Sequence, residues 1–208
     1  MKVRFHHRNY YIEVFDDSVF SQNPDSPTHY ENVYEPEVDK EYKSSSQHAI
    51  VVYDGEKQIS NAIIIAAAGA TSVSQDSVLI WNDSLFVRCS NIIVRLSIPQ
   101  LALIWMTAVD PITCFSMHYY QNTLITHGEL TVCRIDMNGN ILWEFGAGDI
   151  LLRIDGDNCF NMNPNSISLQ NFNGDKFEID YNGKLLTGPN PQQSSNSFKR
   201  SKWWQFWK

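Results

Sequence analysis

Apolar and polar residues alternate in short runs along the chain, and one arrangement of these runs occurs three times. The clearest copy extends from Cys133 to Trp143 and places an Asp-Met-Asn-Gly turn signal between two apolar runs. Comparable passages extend from Val94 to Trp105 and from Phe177 to Leu186. Apolar residues at every second position are typical of strands with one buried face. Each passage therefore predicts a β-hairpin.

The residues between the paired runs predict the turn types. Asn138-Gly139 and Asn182-Gly183 suit type I′ turns, because Gly takes positive φ freely and Asn tolerates it. The first copy has Pro99-Gln100 instead and is one residue longer, so another turn type is expected there.

A second pair of short strands precedes each hairpin. The three passages are Leu79 to Val87, Met117 to Ile125 and Asn161 to Leu169, and in each a polar turn separates two apolar runs. The complete unit thus has four short strands over roughly 40 residues, which is the size of one β-propeller blade.

The order of Asp, a turn with Gly, two apolar residues and Trp in Asp136 to Trp143 resembles the repeat of pyrroloquinoline-quinone-type and WD40-like propellers. The resemblance covers residues 76–186, although the third copy lacks the Trp. It implies an all-β fold of four-stranded antiparallel blades, three of them clear. Residues 47–75 predict a degenerate first blade. Three clear blades and a degenerate one lie at the low end of the four to eight blades of closed propellers. The sequence therefore allows a small closed ring, but we expect an open or partial propeller whose exposed edge the N-terminal hairpin covers. The quinone cofactor is not carried over, because quinone-dependent propellers contain many more blades.

The flanking segments predict three regions. Residues 1–46 combine an N-terminal hairpin with an acidic, Pro- and Tyr-rich excursion, residues 47–186 form the repeat domain, and residues 187–208 form a linker with a Trp-rich tail. The excursion has no periodicity, which favours a linker or a segment that orders on a partner. Alternatively, Tyr30, Tyr34 and Tyr42 pack on their own domain.

Composition narrows the functional classes. The chain has 16 basic and 23 acidic residues and a net charge of −7, which disfavours binding to a nucleic-acid backbone. No apolar run is long enough to predict a membrane-spanning helix, and the N-terminus does not resemble a signal peptide. The four cysteines lack paired spacing, which predicts reduced thiols in a cytoplasmic protein.

Carboxylates recur at the predicted blade boundaries. Asp76, Asp110 and Asp149 each precede the first strand of a blade, so they are expected on one rim, as a patch for a basic partner. The competing interpretation is that these Asp residues cap amides in tight turns.

Other side chains are candidates for the same surface. His127 and Glu129 flank a turn in the second clear blade, where they would contact a partner or serve as an acid–base pair. Trp81 and Tyr120 are predicted as aromatic residues of the same partner-binding surface. The chain shows no phosphate loop, nucleophile elbow or zinc signature. We therefore predict no catalytic residues, metal or cofactor.

The C-terminal tail combines aromatic and basic residues. A role as a weak membrane-surface anchor and a role in docking on protein are both open. The predicted tail anchor consists of Lys199, Arg200, Lys202, Trp203, Trp204, Phe206 and Trp207.

Together these features predict a non-enzymatic protein-binding module with a basic protein partner. One version is an immunity-type protein that neutralises a cationic toxin or effector domain. The alternatives are a small-ligand binder or enzyme with a central cleft around His127 and Glu129, and a peripheral membrane adaptor that acts through the tail.

Overall fold

The structure is a computed structural model that describes residues 1–23, 25–36, 44–152 and 158–191. Within these ranges, seventeen strands form four separate sheets, and the remaining regular element is a short 3-10 helix at Gln75–Ser77. The predicted all-β class with propeller-like, four-stranded antiparallel blades is confirmed.

Sheets 2, 3 and 4 each contain four strands that pair in chain order, so every neighbour is joined by a hairpin turn. The strands of sheet 2 are β6 (Val78–Trp81), β7 (Ser84–Cys89), β8 (Ile92–Ser97) and β9 (Leu103–Ala108). Those of sheet 3 are β10 (Cys114–Tyr120), β11 (Thr123–Gly128), β12 (Thr131–Asp136) and β13 (Ile141–Gly146). Those of sheet 4 are β14 (Phe160–Met162), β15 (Ile167–Gln170), β16 (Lys176–Ile179) and β17 (Leu185–Thr187).

Sheet 1 is larger than the sequence predicts. Its strands are β1 (Lys2–His7), β2 (Tyr10–Asp16), β3 (Asn32–Tyr34), β4 (Ser46–Asp54) and β5 (Lys57–Ala66), in the order β1-β2-β4-β5-β3. The N-terminal hairpin was expected to lie outside the degenerate first blade. Instead, β2 pairs with β4 along its whole length, from Tyr10 opposite Asp54 to Asp16 opposite His48. The first blade is therefore a complete antiparallel blade with β3 added in parallel on β5.

The hydrophobic core lies between consecutive sheets. One buried cluster joins sheets 1 and 2, a second joins sheets 2 and 3, and a third joins sheets 3 and 4. Among the described residues, no buried cluster joins sheet 4 to sheet 1. The sheets thus pack as an open series, in agreement with the predicted partial propeller.

A recurring pair of side chains connects each sheet to the hairpin turn of the next one. Arg95 on β8 lies opposite Trp105 on β9, and both donate a hydrogen bond to the carbonyl of Met137, the Trp105 indole at 2.9 Å. Arg134 and Trp143 repeat this pairing one sheet later, and both donate to the carbonyl of Tyr181, at 2.8 and 3.0 Å. We call each Arg–Trp pair and the turn that it holds a clasp.

The clasped turns differ from the predicted type I′. In the β12–β13 turn, positive φ falls on Gly139 and not on Asn138, and the amide of Gly139 donates to the carbonyl of Asp136. This is a type I turn followed by a Gly bulge. The Asp136 carboxylate accepts hydrogen bonds from the amides of Asn138 and Asn140, both within 2.9 Å. That side-chain contact stabilises the type I geometry, and Asp180 makes the same contacts in the β16–β17 turn.

The excursion between β2 and β4 packs on its own sheet where it is described. The Asp17 carboxylate accepts hydrogen bonds from the Tyr30 hydroxyl at 2.7 Å and the Phe20 amide at 3.2 Å. Tyr34 lies on β3, and its hydroxyl donates to the carbonyl of Leu101 in sheet 2 at 2.7 Å. Tyr30 and Tyr34 thus follow the second interpretation of the sequence, while Tyr42 lies outside the described residues.

Candidate functional site

The segments that connect successive sheets lie at one end of the blades. Because strands alternate in direction, these connections share an end with the turns between the second and third strands. Backbone hydrogen bonds tie them together, from the Glu129 amide to Thr113, from the Leu151 amide to Glu129 and from the Phe172 amide to Ile150, at 2.8, 2.7 and 2.7 Å. We call this end the connection rim and define it by residues 67–77, 90–91, 109–113, 129–130, 147–152 and 171–175.

The connection rim exposes large apolar side chains. Ile112 is 38% exposed, Leu152 47% and Phe172 49%. The first two lie in segments that connect successive sheets, and Phe172 lies in the β15–β16 turn. Exposed apolar side chains among polar neighbours are typical of binding surfaces. None of the three was predicted from the sequence, although Phe172, an isolated apolar residue between Asn171 and Asn173, carried a recognisable signal.

Carboxylates accompany the apolar residues on this rim. Asp76 is exposed, and Glu129 and Asp149 are partly buried. None of the three forms an ion pair with a residue in the described part of the chain. Asp149 instead accepts hydrogen bonds from its neighbour Ile150 and from the Asn173 amide group, the latter at 2.6 Å. The rim thus combines apolar contact area with carboxylates that form no ion pair among the described residues.

Asp110 is not available to a partner, in contrast to the sequence-based expectation. Its side chain is buried, and its two oxygens accept hydrogen bonds from four amides and one hydroxyl. The donors are the amides of Ile112, Thr113, Leu130 and Thr131 and the hydroxyl of Thr131, at 2.8 to 3.1 Å. Here the competing interpretation of amide capping applies, and Asp110 fixes the connecting segment against the β11–β12 turn. A side chain on Gly128 would collide with this carboxylate, since a Cβ there would lie 2.3 Å from Oδ2.

His127 is buried and does not pair with Glu129. It lies on β11, and its Nε2–H donates to the carbonyl of Leu151 at 3.2 Å. Its ring stacks on Phe160, with centroids 4.8 Å apart. Burial lowers the pKa of His127 to about 4, although the hydrogen bond to Leu151 opposes this shift and the nearby His118 adds to it. A neutral, buried imidazole bonded to a backbone carbonyl connects sheets 3 and 4 and is not placed as an acid–base pair with Glu129.

The position of His127 has a counterpart one sheet earlier. Arg88 is the fifth residue of β7, as His127 is the fifth residue of β11. Arg88 is also buried and donates to the carbonyl of Cys114, at the start of the next sheet, at 2.8 Å. The two side chains thus make equivalent connections to the following blade.

Trp81 and Tyr120 lie at the opposite end of the blades, near the turns that follow β6 and β10. Trp81 stacks on Tyr119 with ring centroids 5.8 Å apart, and Tyr120 stacks on Tyr181 at 3.9 Å. The Arg134 guanidinium lies over the Tyr120 ring at 5.3 Å. These aromatics pack one sheet against the next, so the structure does not bring them together with the rim residues.

The remaining predicted residues belong to the tail. The predicted anchor formed by Lys199, Arg200, Lys202, Trp203, Trp204, Phe206 and Trp207 lies outside the described residues. Within the described ranges, no group of three or more His, Cys, Asp or Glu side chains is arranged to hold a metal ion. Nor does any described helix have the length and apolarity needed to cross a membrane.

Comparison with known proteins adds similarities of fold. No protein-family model matches the chain, and neither does any curated protein sequence. Among solved structures, the AfRom2 CNH domain is 10% identical, with a TM-score of 0.47, over 91% of this chain and 54% of that domain. The computationally designed Ika8 protein is also 10% identical, with a TM-score of 0.48, over 89% of this chain and 60% of the designed one. BamB from Moraxella catarrhalis is 10% identical, with a TM-score of 0.42, over 79% of this chain and 66% of the BamB chain. All three TM-scores lie below 0.5 and carry no argument about this chain. The blades are described as propeller-like because each of sheets 2, 3 and 4 has four antiparallel strands that pair in chain order.

Proposed function

We propose that this chain is a non-enzymatic protein-binding module whose contact surface is the connection rim. The carrying observation is that exposed Ile112, Leu152 and Phe172 lie on the same end of the blades as Asp76, Glu129 and Asp149. Apolar contact area supplies affinity on association, while unpaired rim charges mainly speed encounter and select the partner.

The sign of the charge favours a basic partner. Asp76, Glu129 and Asp149 form no ion pair with a described residue, so an incoming Lys or Arg would not have to displace a cation from that part of the chain. A cationic toxin or effector domain, as in an immunity-type complex, is one partner of this chemistry. Binding should weaken with added salt, because charges at a rim are screened over about 8–10 Å at physiological ionic strength.

The proposal of a non-enzymatic role is supported by the position of His127. An acid–base catalyst must reach a substrate proton at hydrogen-bond distance, whereas the Nε2–H of this buried ring is occupied by the Leu151 carbonyl.

The test compares two variants with matched charge changes. The rim variant carries Asp76→Lys, Glu129→Lys and Phe172→Ser. The control carries Asp54→Lys, Glu56→Lys and Leu186→Ser, which are exposed residues away from the rim. Each chain serves as bait in host lysate at low and high salt, and bound proteins are quantified by mass spectrometry.

We expect a basic, salt-sensitive partner to bind the wild-type chain and the control variant but not the rim variant. Circular dichroism must show that both variants keep the wild-type fold. Equal retention of partner by both variants, or equal loss from both, would contradict binding through the rim.

A further inference from the structure

Two faces of the sheet series have no neighbouring sheet in the described structure. One is the face of sheet 4 that points away from sheet 3, and the other is the face of sheet 1 that points away from sheet 2. In a series of stacked blades such end faces decide whether another blade or another molecule can be added.

The corresponding faces of sheets 2 and 3 each pack against the next sheet, so their residues show the composition of a covered face. A row of residues crosses each sheet on that face, one residue per strand, and the final two members are the Arg and Trp of the clasp. In sheet 2 the row is Leu79, Phe86, Arg95 and Trp105. In sheet 3 it is His118, Ile125, Arg134 and Trp143.

The same row in sheet 4 is polar at every position. It consists of Asn161, Ser168, Glu178 and Thr187, as the strand pairing shows. Glu178 takes the place of the Arg, and Thr187 takes the place of the Trp. The Glu178 carboxylate is already engaged, since it accepts a hydrogen bond from the Ser166 hydroxyl at 2.6 Å. Covering this row would remove the carboxylate from water, which is unfavourable unless the covering surface supplies a cation.

The outer face of sheet 1 is covered by the chain itself. Ile63 and Ile65 on β5 point to this side and are buried against Phe20 and Tyr30 of the excursion. Asp17 holds both aromatic residues in place through the Tyr30 hydroxyl and the Phe20 amide. Next to them, Glu13 forms ion pairs with Lys2 at 2.7 Å and with Arg4 at 3.2 Å. On this face the excursion thus covers Ile63 and Ile65, while the Lys2 and Arg4 side chains lie over the rings of Phe15 and Tyr11.

We infer that sheet 4 is a terminal blade and that residues 17–23 and 25–36 form a cap on sheet 1, so that neither face receives a further blade or a second copy of this chain. This goes beyond the proposed function, because it assigns roles to two surfaces that the rim does not use. On this inference, partners bind to surfaces of the protein other than these two faces.

Thiol labelling of the full chain tests the terminal blade. The native cysteines are buried, and burial raises the pKa of Cys114 to about 12, so they should react slowly. Separate variants Ser168→Cys and Thr187→Cys place one thiol each on the polar row. The control is Asn182→Cys in an exposed turn. We expect all three introduced thiols to react within a few-fold of one another at every protein concentration.

Protection of the thiols on the polar row would overturn the inference. Protection that increases with protein concentration would reveal a second copy on this face, and protection at all concentrations would reveal coverage by another part of the chain. The control thiol must stay reactive in both cases, since it does not lie on the row.

A second experiment tests the cap. The double variant Phe20→Ser, Tyr30→Ser uncovers Ile63 and Ile65, whereas Val19→Ser changes a side chain that is already 68% exposed. We expect the double variant to bind a hydrophobic dye and to associate in sedimentation experiments, unlike the control and the wild type. An unchanged dye signal and mass would contradict the role of the cap. If the double variant does not fold, Ile65→Cys in the otherwise intact chain must resist labelling, and rapid reaction would refute the cap.

Discussion

Replacement of Gly139 by Ala tests the clasp most sharply, because the chain contains a matched control. A Cβ on Gly139 would lie 2.8 and 2.9 Å from two ring atoms of Trp105 and 3.0 Å from the hydroxyl of Thr107. The Trp105 ring cannot move away without breaking its hydrogen bond to the Met137 carbonyl. Gly55, in the corresponding hairpin of sheet 1, also has positive φ, yet a Cβ there would meet nothing within 4 Å.

The main difference between the two substitutions is the collision. Both place Ala at positive φ, which costs about 1 kcal/mol, and both restrict the unfolded chain equally. Forcing an extra carbon into a packed contact adds roughly 1–3 kcal/mol. We therefore expect Gly55→Ala to lower the free energy of unfolding by about 1 kcal/mol and Gly139→Ala by about 2 kcal/mol more.

Equilibrium urea unfolding followed by far-ultraviolet circular dichroism measures both values. A double-mutant cycle with Trp105→Ala locates the cause, because removal of the ring should reduce the cost of Gly139→Ala to that of Gly55→Ala. Equal losses for the two single variants, or no coupling between positions 105 and 139, would refute the clasp as described.

Three further predictions concern buried contacts. Asp110→Asn should lower the unfolding free energy by about 3 kcal/mol in urea titrations, because an amide cannot accept all five hydrogen bonds and carries no charge; a loss below 1 kcal/mol would contradict the buried network. Trp143→Phe should cost about 1 kcal/mol for the lost bond to Tyr181, and Trp143→Ala about 3–4 kcal/mol by thermal unfolding, whereas a Trp143→Phe variant as stable as the wild type would show that the indole N–H contributes little. His127 has a folded pKa of about 4, so the unfolded chain binds its proton first as the pH falls, and stability should decrease from about pH 6.5 towards pH 4 by about 3 kcal/mol. His127→Gln should flatten this decrease, and an unchanged pH profile would contradict the assignment.

Local patterns were sufficient to predict most of the hairpins. The alternation around Asn138-Gly139 and Asn182-Gly183 located the third and fourth strands of two blades, and the preceding runs located the first and second. The turn type was wrong because the Asp136 side chain accepts bonds from the Asn138 and Asn140 amides, an interaction that a two-residue turn signal does not reveal.

The predictions that failed depend on contacts distant in sequence. Pairing of β2 with β4 joins strands separated by the whole excursion, and nothing within either strand specifies that partner. Asp110 and His127 were chosen for their chemistry, but their environment is set by residues about 20 positions away in the chain, such as Thr131 and Leu151. The Arg–Trp spacing, and its replacement by Glu178 and Thr187, was the sequence signal for the clasps.

The clasps also bear on how an architecture of this kind can grow. Sheet 2 offers an Arg–Trp pair, but its own turn is held differently, by Ser60 and Tyr34 of sheet 1. The turn of sheet 4 is held by the Arg–Trp pair of sheet 3, but sheet 4 has Glu178 and Thr187 in place of such a pair. Only sheet 3, among the described sheets, both accepts one clasp and offers another, so a duplicated segment of about residues 109–147 would carry both halves of each new junction. Tandem duplication of that segment is therefore the single-step gene rearrangement that would lengthen the protein while every joint between blades is preserved.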